Sequence, residues 1–262
     1  MRQKLGQHFL KNKDVLEALV KTLKVQEWDI LIEIGAGHGE LTDVYIGKKN
    51  KLFLLERDRE LVTRLKEKYR HFKNVKVIEG DAVKTFPEIM KKTIKNKKYK
   101  LFGNIPYYIT GALFRKISEL KNKPQIAALL IQKEVALRVT ASPPKMNLLA
   151  ASVQVWAKTE VVRDVSRFDF SPSPEIDSSI LVLSPLHKVS ITAGYYAFIR
   201  RLFKQPKKTV LNNLREGLKG IKDEVIKHLL SSGIEPNTRP QNLNIKQIDN
   251  LSKEPLFLEE KS

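Results

Sequence analysis

The sequence lacks cysteine altogether, and this absence excludes several kinds of chemistry. Without thiols the chain has no disulfide bonds, no thiolate metal ligands and no cysteine nucleophile. A reducing compartment is compatible with this composition, and we predict no metal site.

Long apolar segments are also missing. No apolar run approaches the roughly 20 residues that a helix needs to span a bilayer, and the N-terminal segment Met1–Leu10 lacks the apolar core of a signal peptide. We therefore expect a soluble, cytoplasmic protein with no membrane partner.

Acidic residues are scarce relative to basic ones. The chain has 29 Asp and Glu against 48 Lys and Arg, which gives a net charge of +19. Such a surplus repels itself and does not help the fold, so a polyanionic partner is the simplest reason to keep it. The alternative is a lysine-rich surface that serves solubility alone.

Strand-like apolar runs alternate with helical patterns from Asp14 to about Leu183. This alternation is typical of a parallel sheet covered by helices on both faces, so we predict a doubly wound α/β fold. Two later runs, Ser152 to Val162 and Ser178 to Leu183, flank a proline-rich loop and resemble an antiparallel pair added at one edge. The predicted parallel strands are Ile30 to Ile34, Lys51 to Leu55, Val75 to Ile78, Lys100 to Phe102 and Ile126 to Gln132.

After Ser184-Pro185 the pattern contains helices only. We therefore expect two domains, residues 1–186 and a small helical domain of residues 187–262. The predicted helices of the second domain are Ala193 to Lys204, Lys207 to Leu218, Lys222 to Ser231 and Ile245 to Leu251.

A glycine-rich turn follows the first predicted strand. The strand Ile30 to Ile34 leads into Gly35-Ala36-Gly37-His38-Gly39, and a helix begins near Glu40. Glycines let the backbone turn sharply and let a ligand approach, while the helix N-terminus supplies free N–H groups. Alone the pattern is weak, because many matches are ordinary tight turns.

Acidic residues end the next two strands. Glu56 ends the second strand, where a carboxylate commonly accepts hydrogen bonds from ribose hydroxyls, and Asp81 ends the third. Each has a structural alternative: Glu56 as a solvated loop carboxylate and Asp81 as a helix N-cap. Their coincidence with the glycine turn favours a nucleotide-shaped site at the carboxyl ends of the strands.

The fourth strand ends in Asn104-Ile105-Pro106-Tyr107. An asparagine amide and the carbonyl groups of an Ile-Pro turn place hydrogen-bond acceptors where an exocyclic amino group could be held. Tyr107 supplies a flat face for an unstacked base, with core packing as its alternative. For the neighbouring Tyr108 we expect core packing.

Nearly the whole chain resembles the KsgA family of ribosomal small-subunit RNA adenine dimethyltransferases. Six motifs in order carry the resemblance: Gly6-Gln7-His8-Phe9-Leu10, Glu33-Ile34-Gly35-Ala36-Gly37-His38-Gly39, Gly80-Asp81-Ala82, Asn104-Ile105-Pro106-Tyr107, Gln132-Lys133-Glu134-Val135-Ala136 and Phe170-Ser171-Pro172-Ser173-Pro174-Glu175-Ile176-Asp177-Ser178. The chain departs from the family pattern at Ala36 and His38, where Pro and Leu are frequent, and at Lys204 to Lys208, where arginines are denser.

The resemblance implies a Rossmann-like class I methyltransferase sheet with an antiparallel last strand, and S-adenosylmethionine as the cofactor. It implies that Gly35 and Gly37 lie against the methionine half, that Glu56 binds the ribose and that Asp81 reads the adenine amino group. His8 and Leu10, in the N-terminal segment 1–13, would close over the cofactor, although His8 read alone is an ordinary residue before a helix.

For the acceptor site, the resemblance implies that Asn104 and the Ile105 carbonyl hold adenine N6, that Pro106 fixes the turn, and that Tyr107 and Phe170 face the two sides of an everted base. The alternative for Phe170 is a loop anchor packed on the sheet. Asn104 would also touch the cofactor.

The partner implied is ribosomal RNA within an immature small ribosomal subunit, bound by a monomer of this protein. Phosphate contacts are expected from the run Lys91 to Lys100, from Arg115 and Lys116, and from the helical domain. The candidates in the helical domain are Arg200, Arg201, Lys204, Lys207, Lys208 and Arg215. Each is individually as consistent with a solvated helix face.

Three other functions stay open at this stage. The Erm group methylates adenine in large-subunit RNA and shares the form Asn-Ile-Pro-Tyr, a non-catalytic ribosome-assembly factor would keep the fold without the chemistry, and a DNA adenine methyltransferase uses a similar turn. The motif Gln132 to Ala136 and the long helical pattern favour the small-subunit enzymes over the Erm group.

Overall fold

The computed structural model describes residues 8–186, 191, 194–216 and 222–258. The chain divides into two compact units, one of residues 1–136 and 158–185 and one of residues 137–157 and 186–262. Gly6 and Gln7 of the N-terminal motif, Ala193, and the predicted helix end at Leu218 lie outside the described residues. In the described part of the chain no helix has the length and apolar character that crossing a membrane requires.

The first unit is built on a sheet whose parallel strands the sequence pattern located to within two residues. Its elements are β1 (Phe9–Leu10), α1 (Lys13–Thr22), β2 (Ile30–Ile34), α2 (Glu40–Tyr45), β3 (Lys51–Glu56), α3 (Arg59–Lys68), β4 (Val75–Glu79), α4 (Ala82–Ile89), β5 (Tyr99–Asn104), α5 (Thr110–Glu119), β6 (Ala127–Gln132), α6 (Lys133–Val139), β7 (Ala157–Val165), β8 (Phe170–Ser171) and β9 (Ser178–Pro185). Side chains cap several helices: Asn12 at α1, Asp58 at α3 and Asp81 at α4 each accept from backbone N–H groups of the first turn.

The large sheet has the strand order β4-β3-β2-β5-β6-β9-β7. Strands β2 to β6 run parallel, and β9 is antiparallel to β6. The strand order reverses between β2 and β5, and open α/β sheets bind ligands outside the carboxyl ends of the strands at such a point. The predicted doubly wound sheet with an antiparallel last strand is confirmed.

The predicted run Ser152 to Val162 is wrong at its start. Residues 148–154 form a helix, and β7 begins only at Ala157. Asn147 explains why a helix forms here, because its side chain accepts a hydrogen bond from the Ala150 N–H and caps the first turn.

The second unit is helical. Its elements are α7 (Leu148–Gln154), α8 (Tyr195–Leu202), α9 (Val210–Leu214), α10 (Lys222–Ser231), α11 (Ile245–Leu251) and α12 (Pro255–Leu258). Helix α7 packs on α8 and α11, and the Tyr195 hydroxyl donates to the Ala151 carbonyl oxygen at 2.9 Å. These contacts group residues 137–157 with the C-terminal helices, whereas the sequence pattern kept them in the first domain.

One lysine of the predicted RNA-binding run is buried. Lys100, in β5, is 5% exposed, and its Nζ atom lies 2.7 Å from Asp29 Oδ2 and donates to the Lys24 carbonyl oxygen. The expectation that Lys100 contacts phosphate is therefore wrong, because the side chain is committed to an internal ion pair.

Candidate active site

A cavity of about 210 Å³ lies at the carboxyl ends of β2, β3 and β5 and beside the loop after β4. Because these strands are parallel, their ends and the loops that follow them meet at one edge of the sheet. The cavity lining contains ten of the residues proposed from the sequence, namely His8, Leu10, Gly35, Gly37, Glu56, Asp81, Asn104, Ile105, Pro106 and Tyr107.

The glycine turn brings bare backbone to the cavity wall. Gly35 and Gly37 have φ of 71° and 58°, a region that side chains rarely allow. A Cβ atom at Gly35 would lie 3.0 Å from the Asn104 carbonyl oxygen, and one at Gly37 would lie 3.1 Å from the Phe9 ring. The turn therefore needs glycine both for its conformation and for its close neighbours.

Glu56 organises the loop that surrounds it. Its Oε2 atom accepts from the Gly37 N–H at 2.9 Å, and Oε1 accepts from the N–H groups of Arg57 and Asp58 at 2.7 and 2.9 Å. The residue is only 6% exposed, so it is not the solvated loop carboxylate of the alternative reading. The carboxylate joins the ends of β2 and β3 and faces the cavity.

Asp81 is the N-cap of α4 and also lines the cavity. One carboxylate oxygen, Oδ1, caps α4 by accepting from Val83 and Lys84 N–H groups. The other, Oδ2, lies 3.8 Å from Arg57 Nη1. Since Asp81 lines the cavity, Oδ2 is available to a polar group there.

The amide of Asn104 is oriented by the N-terminal segment. Its Nδ2 atom donates to the His8 carbonyl oxygen at 2.8 Å, and the His8 ring in turn donates from Nδ1 to the Pro172 carbonyl oxygen at 2.8 Å. Because this contact directs Nδ2 to the N-terminal segment, the amide oxygen Oδ1 is the group that can accept a hydrogen bond from a ligand in the cavity.

Tyr107 is part of the cavity wall and is held at both ends. Its hydroxyl group is hydrogen-bonded to Ser178 Oγ at 3.3 Å, and its ring lies nearly parallel to the His8 ring, at 24° with the centroids 6.4 Å apart. The ring belongs to a short 3-10 turn, Tyr107–Ile109, that follows Pro106.

Phe170 does not line the cavity. In β8 it pairs with Leu10 of β1, and its side chain, 6% exposed, lies in a buried cluster with Leu10 and Leu16. This placement matches the alternative of a loop anchor and not a ring that faces an everted base.

Two ionisable residues of the cavity, Glu33 and Arg57, were given no role from the sequence. Glu33, in β2, is 1% exposed and accepts from the Thr42 hydroxyl at 2.5 Å. Burial raises its pKa to about 8, and the neighbouring carboxylates of Glu40 and Glu56 add to the shift. The sequence did contain a signal for a buried carboxyl, because Glu33 is an acidic residue inside the apolar run Ile30 to Ile34.

Arg57 is the other. Its Nη1 atom donates to the Tyr108 hydroxyl at 3.3 Å and lies 3.8 Å from Asp81 Oδ2. Tyr108 is 61% exposed, so the expectation that it packs in the core is wrong. The turn after Pro106 leaves that side chain outside the sheet layer.

The predicted RNA-binding residues of the second unit differ in exposure. Arg200, Lys204, Lys207, Lys208 and Arg215 are exposed, whereas Arg201 is partly buried with its guanidinium 5.7 Å from the Phe257 ring centroid. Lys204 is paired with Glu216 at 2.9 Å.

The buried side chain of Asn213 holds the loop that carries Lys207 and Lys208 by hydrogen bonds to its backbone. This residue is 1% exposed; its Oδ1 atom accepts from the Gln205 N–H, and Nδ2 donates to the carbonyl oxygens of Gln205 and Thr209. Helix α9 begins at Val210 with Thr209 as its N-cap, so the predicted helix start at Lys207 is wrong by three residues.

Known proteins resemble the chain over nearly its whole length. A family model described as ribosomal RNA adenine dimethylase matches residues 1–255. The ribosomal RNA small subunit methyltransferase A of Dehalococcoides mccartyi is 35% identical over 252 residues, which cover 94% of this chain and 85% of that protein. The protein of the same name from Alkaliphilus metalliredigens is 32% identical, covering 95% of this chain and 90% of its own.

Solved structures give the same result for the fold. A crystal structure of a dimethyladenosine transferase from Plasmodium falciparum has a TM-score of 0.78 at 26% identity and covers 93% of this chain and 95% of that one. The 23S rRNA methyltransferase ErmE, at 20% identity and a TM-score of 0.74 over 94% of this chain and 98% of its own, shares the fold. The resemblance read from the six motifs is confirmed, and the chain belongs to the ribosomal RNA adenine dimethylase family of methyltransferases.

Proposed function

We propose that the protein transfers methyl groups from S-adenosylmethionine to the exocyclic N6 of adenines in small-subunit ribosomal RNA, forming N6,N6-dimethyladenine, and that it does so on an immature subunit. The observation that carries the proposal is the Asn104 amide, held by the His8 carbonyl oxygen beside a glycine-lined cavity. The substrate class follows from two relatives, 32 and 35% identical, that are ribosomal RNA small subunit methyltransferases A.

The cavity fits the cofactor on the chemistry of its donor set. Glu56 offers a buried carboxylate for the ribose hydroxyls, Asp81 Oδ2 offers an acceptor for an amino group, and Gly35 lines the cavity with bare backbone that a ligand can approach closely. His8 and Leu10 line the same cavity from β1 and the residue before it. When bound, S-adenosylmethionine supplies an electrophilic methyl group on a positively charged sulfur.

The chain's own task is to make adenine N6 a usable nucleophile. The lone pair of that nitrogen is delocalised into the purine ring, so the amino group attacks poorly while it stays planar. Asn104 Oδ1 and the Ile105 carbonyl oxygen accept hydrogen bonds from its N–H groups, which favours a more tetrahedral nitrogen and aims it, and the proton that N6 loses on methylation passes to solvent. No strong base is required, and Pro106 keeps the two acceptors in fixed relation.

Tyr107 provides the surface on which the everted base lies. A base must leave its stack to enter a closed pocket, and stacking on an aromatic ring recovers about 1–3 kcal/mol. The Ser178 hydroxyl and the His8 ring hold Tyr107 in place before RNA arrives. Phe170 is left out of this proposal because its side chain lies in the core.

Phosphate binding is assigned to the exposed lysines and arginines, with Lys207 and Lys208 on the loop fixed by Asn213 as the foremost candidates. The protein would act as a monomer in the cytoplasm, where such subunits are assembled in bacteria.

The test uses isolated ribosomal subunits that lack the modification. The protein is incubated with labelled S-adenosylmethionine and either small or large subunits, and the modified nucleosides are identified by mass spectrometry. We expect label in the small subunit only, as N6,N6-dimethyladenine, and an initial rate of labelling lower by about 10²-fold or more with an Asn104→Ala variant. Label confined to the large subunit would make the protein Erm-like, and tight binding without transfer would make it an assembly factor.

A further inference from the structure

The loop between β7 and β9 is tied together by its own polar groups. Arg167 donates from its backbone N–H to Asp177 Oδ1 at 3.0 Å and from Nη1 to the Glu175 carbonyl oxygen at 3.1 Å. The Ser173 hydroxyl donates to the Arg167 carbonyl oxygen at 2.8 Å. Ser166 and Asp169 add a capping box around the short turn Arg167–Asp169. The loop is thus a defined structure and not a loose connection.

This loop presents a phenylalanine ring to solvent. The Phe168 side chain is 77% exposed, and the Arg167 guanidinium carbon lies 4.9 Å from its ring centroid. Water makes the exposure of such a ring unfavourable, and burying it against a partner would regain that free energy. A flat ring beside a guanidinium group is a combination that binds nucleobases and their phosphates.

The loop is joined to the wall of the active-site cavity. Two residues after Phe168, β8 pairs with β1, with Phe170 opposite Leu10 and Ser171 opposite Phe9. Pro172 then accepts the hydrogen bond from the His8 ring. Since two residues of extended chain span at most about 7 Å, the Phe168 backbone lies within that distance of β8, whose partner strand β1 lines the cavity.

We propose that Phe168, with Arg167, binds the unpaired base next to the target adenine in the substrate RNA. The inference rests on the proposed function, because an adenine that enters the cavity is extruded from its stack and leaves its neighbour without a stacking partner. The Phe168 ring replaces that partner, and the Arg167 guanidinium group lies beside the connecting phosphate. The pair acts in positioning the RNA and not in the chemical step.

The experiment compares three variants in methylation of under-modified small subunits. Phe168→Ala removes the ring, Phe168→Tyr keeps it, and Trp28→Ala removes a control aromatic that is 83% exposed and lies just before the amino end of β2. A stacking contact of about 1–3 kcal/mol corresponds to a rise in KM of about 5- to 150-fold for Phe168→Ala. We expect kcat and the affinity for S-adenosylhomocysteine to stay at the wild-type values, and both other variants to keep the wild-type KM.

The possible outcomes distinguish failure of the base-binding role from failure of the proposed function. A wild-type protein that methylates no small subunit overturns the proposed function and the base-binding role together. An active wild type whose Phe168→Ala variant keeps its KM overturns the base-binding role alone. Ultraviolet cross-linking of the bound subunit gives a direct readout: attachment of the Phe168 peptide to RNA supports the inference, and attachment to a ribosomal protein instead overturns it.

Discussion

The side-chain amide of Asn104 donates a hydrogen bond to the backbone carbonyl oxygen of His8, at 2.8 Å and across 96 positions of sequence. The contact ties the end of β5 to the residue before β1. Because it uses the nitrogen of the amide, it leaves the oxygen as the acceptor at the cavity. The N-terminal segment therefore helps to set the orientation of the group proposed to hold adenine N6.

Replacing Asn104 should impair turnover more than cofactor binding. We expect Asn104→Ala to lower kcat by about 10²-fold or more, since loss of the acceptor leaves the amino group unaimed. Affinity for S-adenosylhomocysteine, measured by calorimetry, should change far less. Asn104→Asp is the matched control, because it keeps an acceptor oxygen and loses the donor to His8. Wild-type turnover by the alanine variant would contradict the assignment.

The buried carboxyl of Glu33 should make stability depend on pH. Its pKa rises from 4.5 to about 8 on folding because burial disfavours the charged form. Between these values the folded state retains a proton that the unfolded state has lost. The contribution is therefore fully present below pH 4.5 and is lost as the pH rises toward 8.

The corresponding slope in the free energy of unfolding is about −1.4 kcal/mol per pH unit within that window. Glu33→Gln keeps the shape of the side chain and cannot ionise, so we expect the variant to lack this component. Urea unfolding at several pH values between 5 and 8 measures the difference. Parallel pH profiles for the wild type and Glu33→Gln would show that the carboxyl does not titrate in this way.

The internal ion pair of Lys100 should be costly to break from one side. Asp29→Ala leaves the buried ammonium group without its carboxylate, and we expect a loss of about 3–5 kcal/mol in the free energy of unfolding. The double variant Asp29→Ala with Lys100→Met should recover much of that loss, because no buried charge remains. Denaturant unfolding measures the free energy of unfolding of both variants. An Asp29→Ala variant as stable as the double variant would refute the expectation.

The lysines of the Asn213-supported loop should govern the salt dependence of RNA binding. Each phosphate contact contributes about 0.7–0.9 to the slope of log affinity against log salt concentration, so Lys207→Gln with Lys208→Gln should lower the magnitude of the slope by about 1.4–1.8. Lys204→Gln is the control with a smaller expected effect, because its ammonium group already pairs with Glu216. Filter binding of small-subunit RNA over a range of KCl concentrations tests both, and an unchanged slope in the double variant would exclude this loop.

The sequence was sufficient to locate the strands and the residues at their ends. Buried parallel strands are continuous apolar runs, and the glycine turn, Glu56 and Asn104 each follow such a run directly. Local signals of this kind survive folding because they depend on neighbours along the chain. The start of β7 was misplaced because apolar residues of a buried helix and a buried strand look alike over a few positions.

Residues whose roles depend on distant partners were not readable in this way. Lys100 looked like one member of a basic run, and only Asp29 and the Lys24 carbonyl oxygen, brought together by folding, make it an internal residue. Phe170 and Phe168 are two positions apart in one loop, yet the first is buried against Leu10 and the second is exposed. The difference arises because β8, which contains Phe170, pairs with β1, whereas Phe168 precedes that strand.

The sequence by itself determined the fold class, the carboxyl-end site and the family, because each depends on short-range patterns of apolar, glycine and carboxylate residues. The tertiary structure alone decided which way the Asn104 amide is turned, which aromatic ring of the loop after β7 stays exposed, and which lysine is withdrawn from the surface. Those properties arise from contacts between segments far apart in the chain, and no local pattern encodes them.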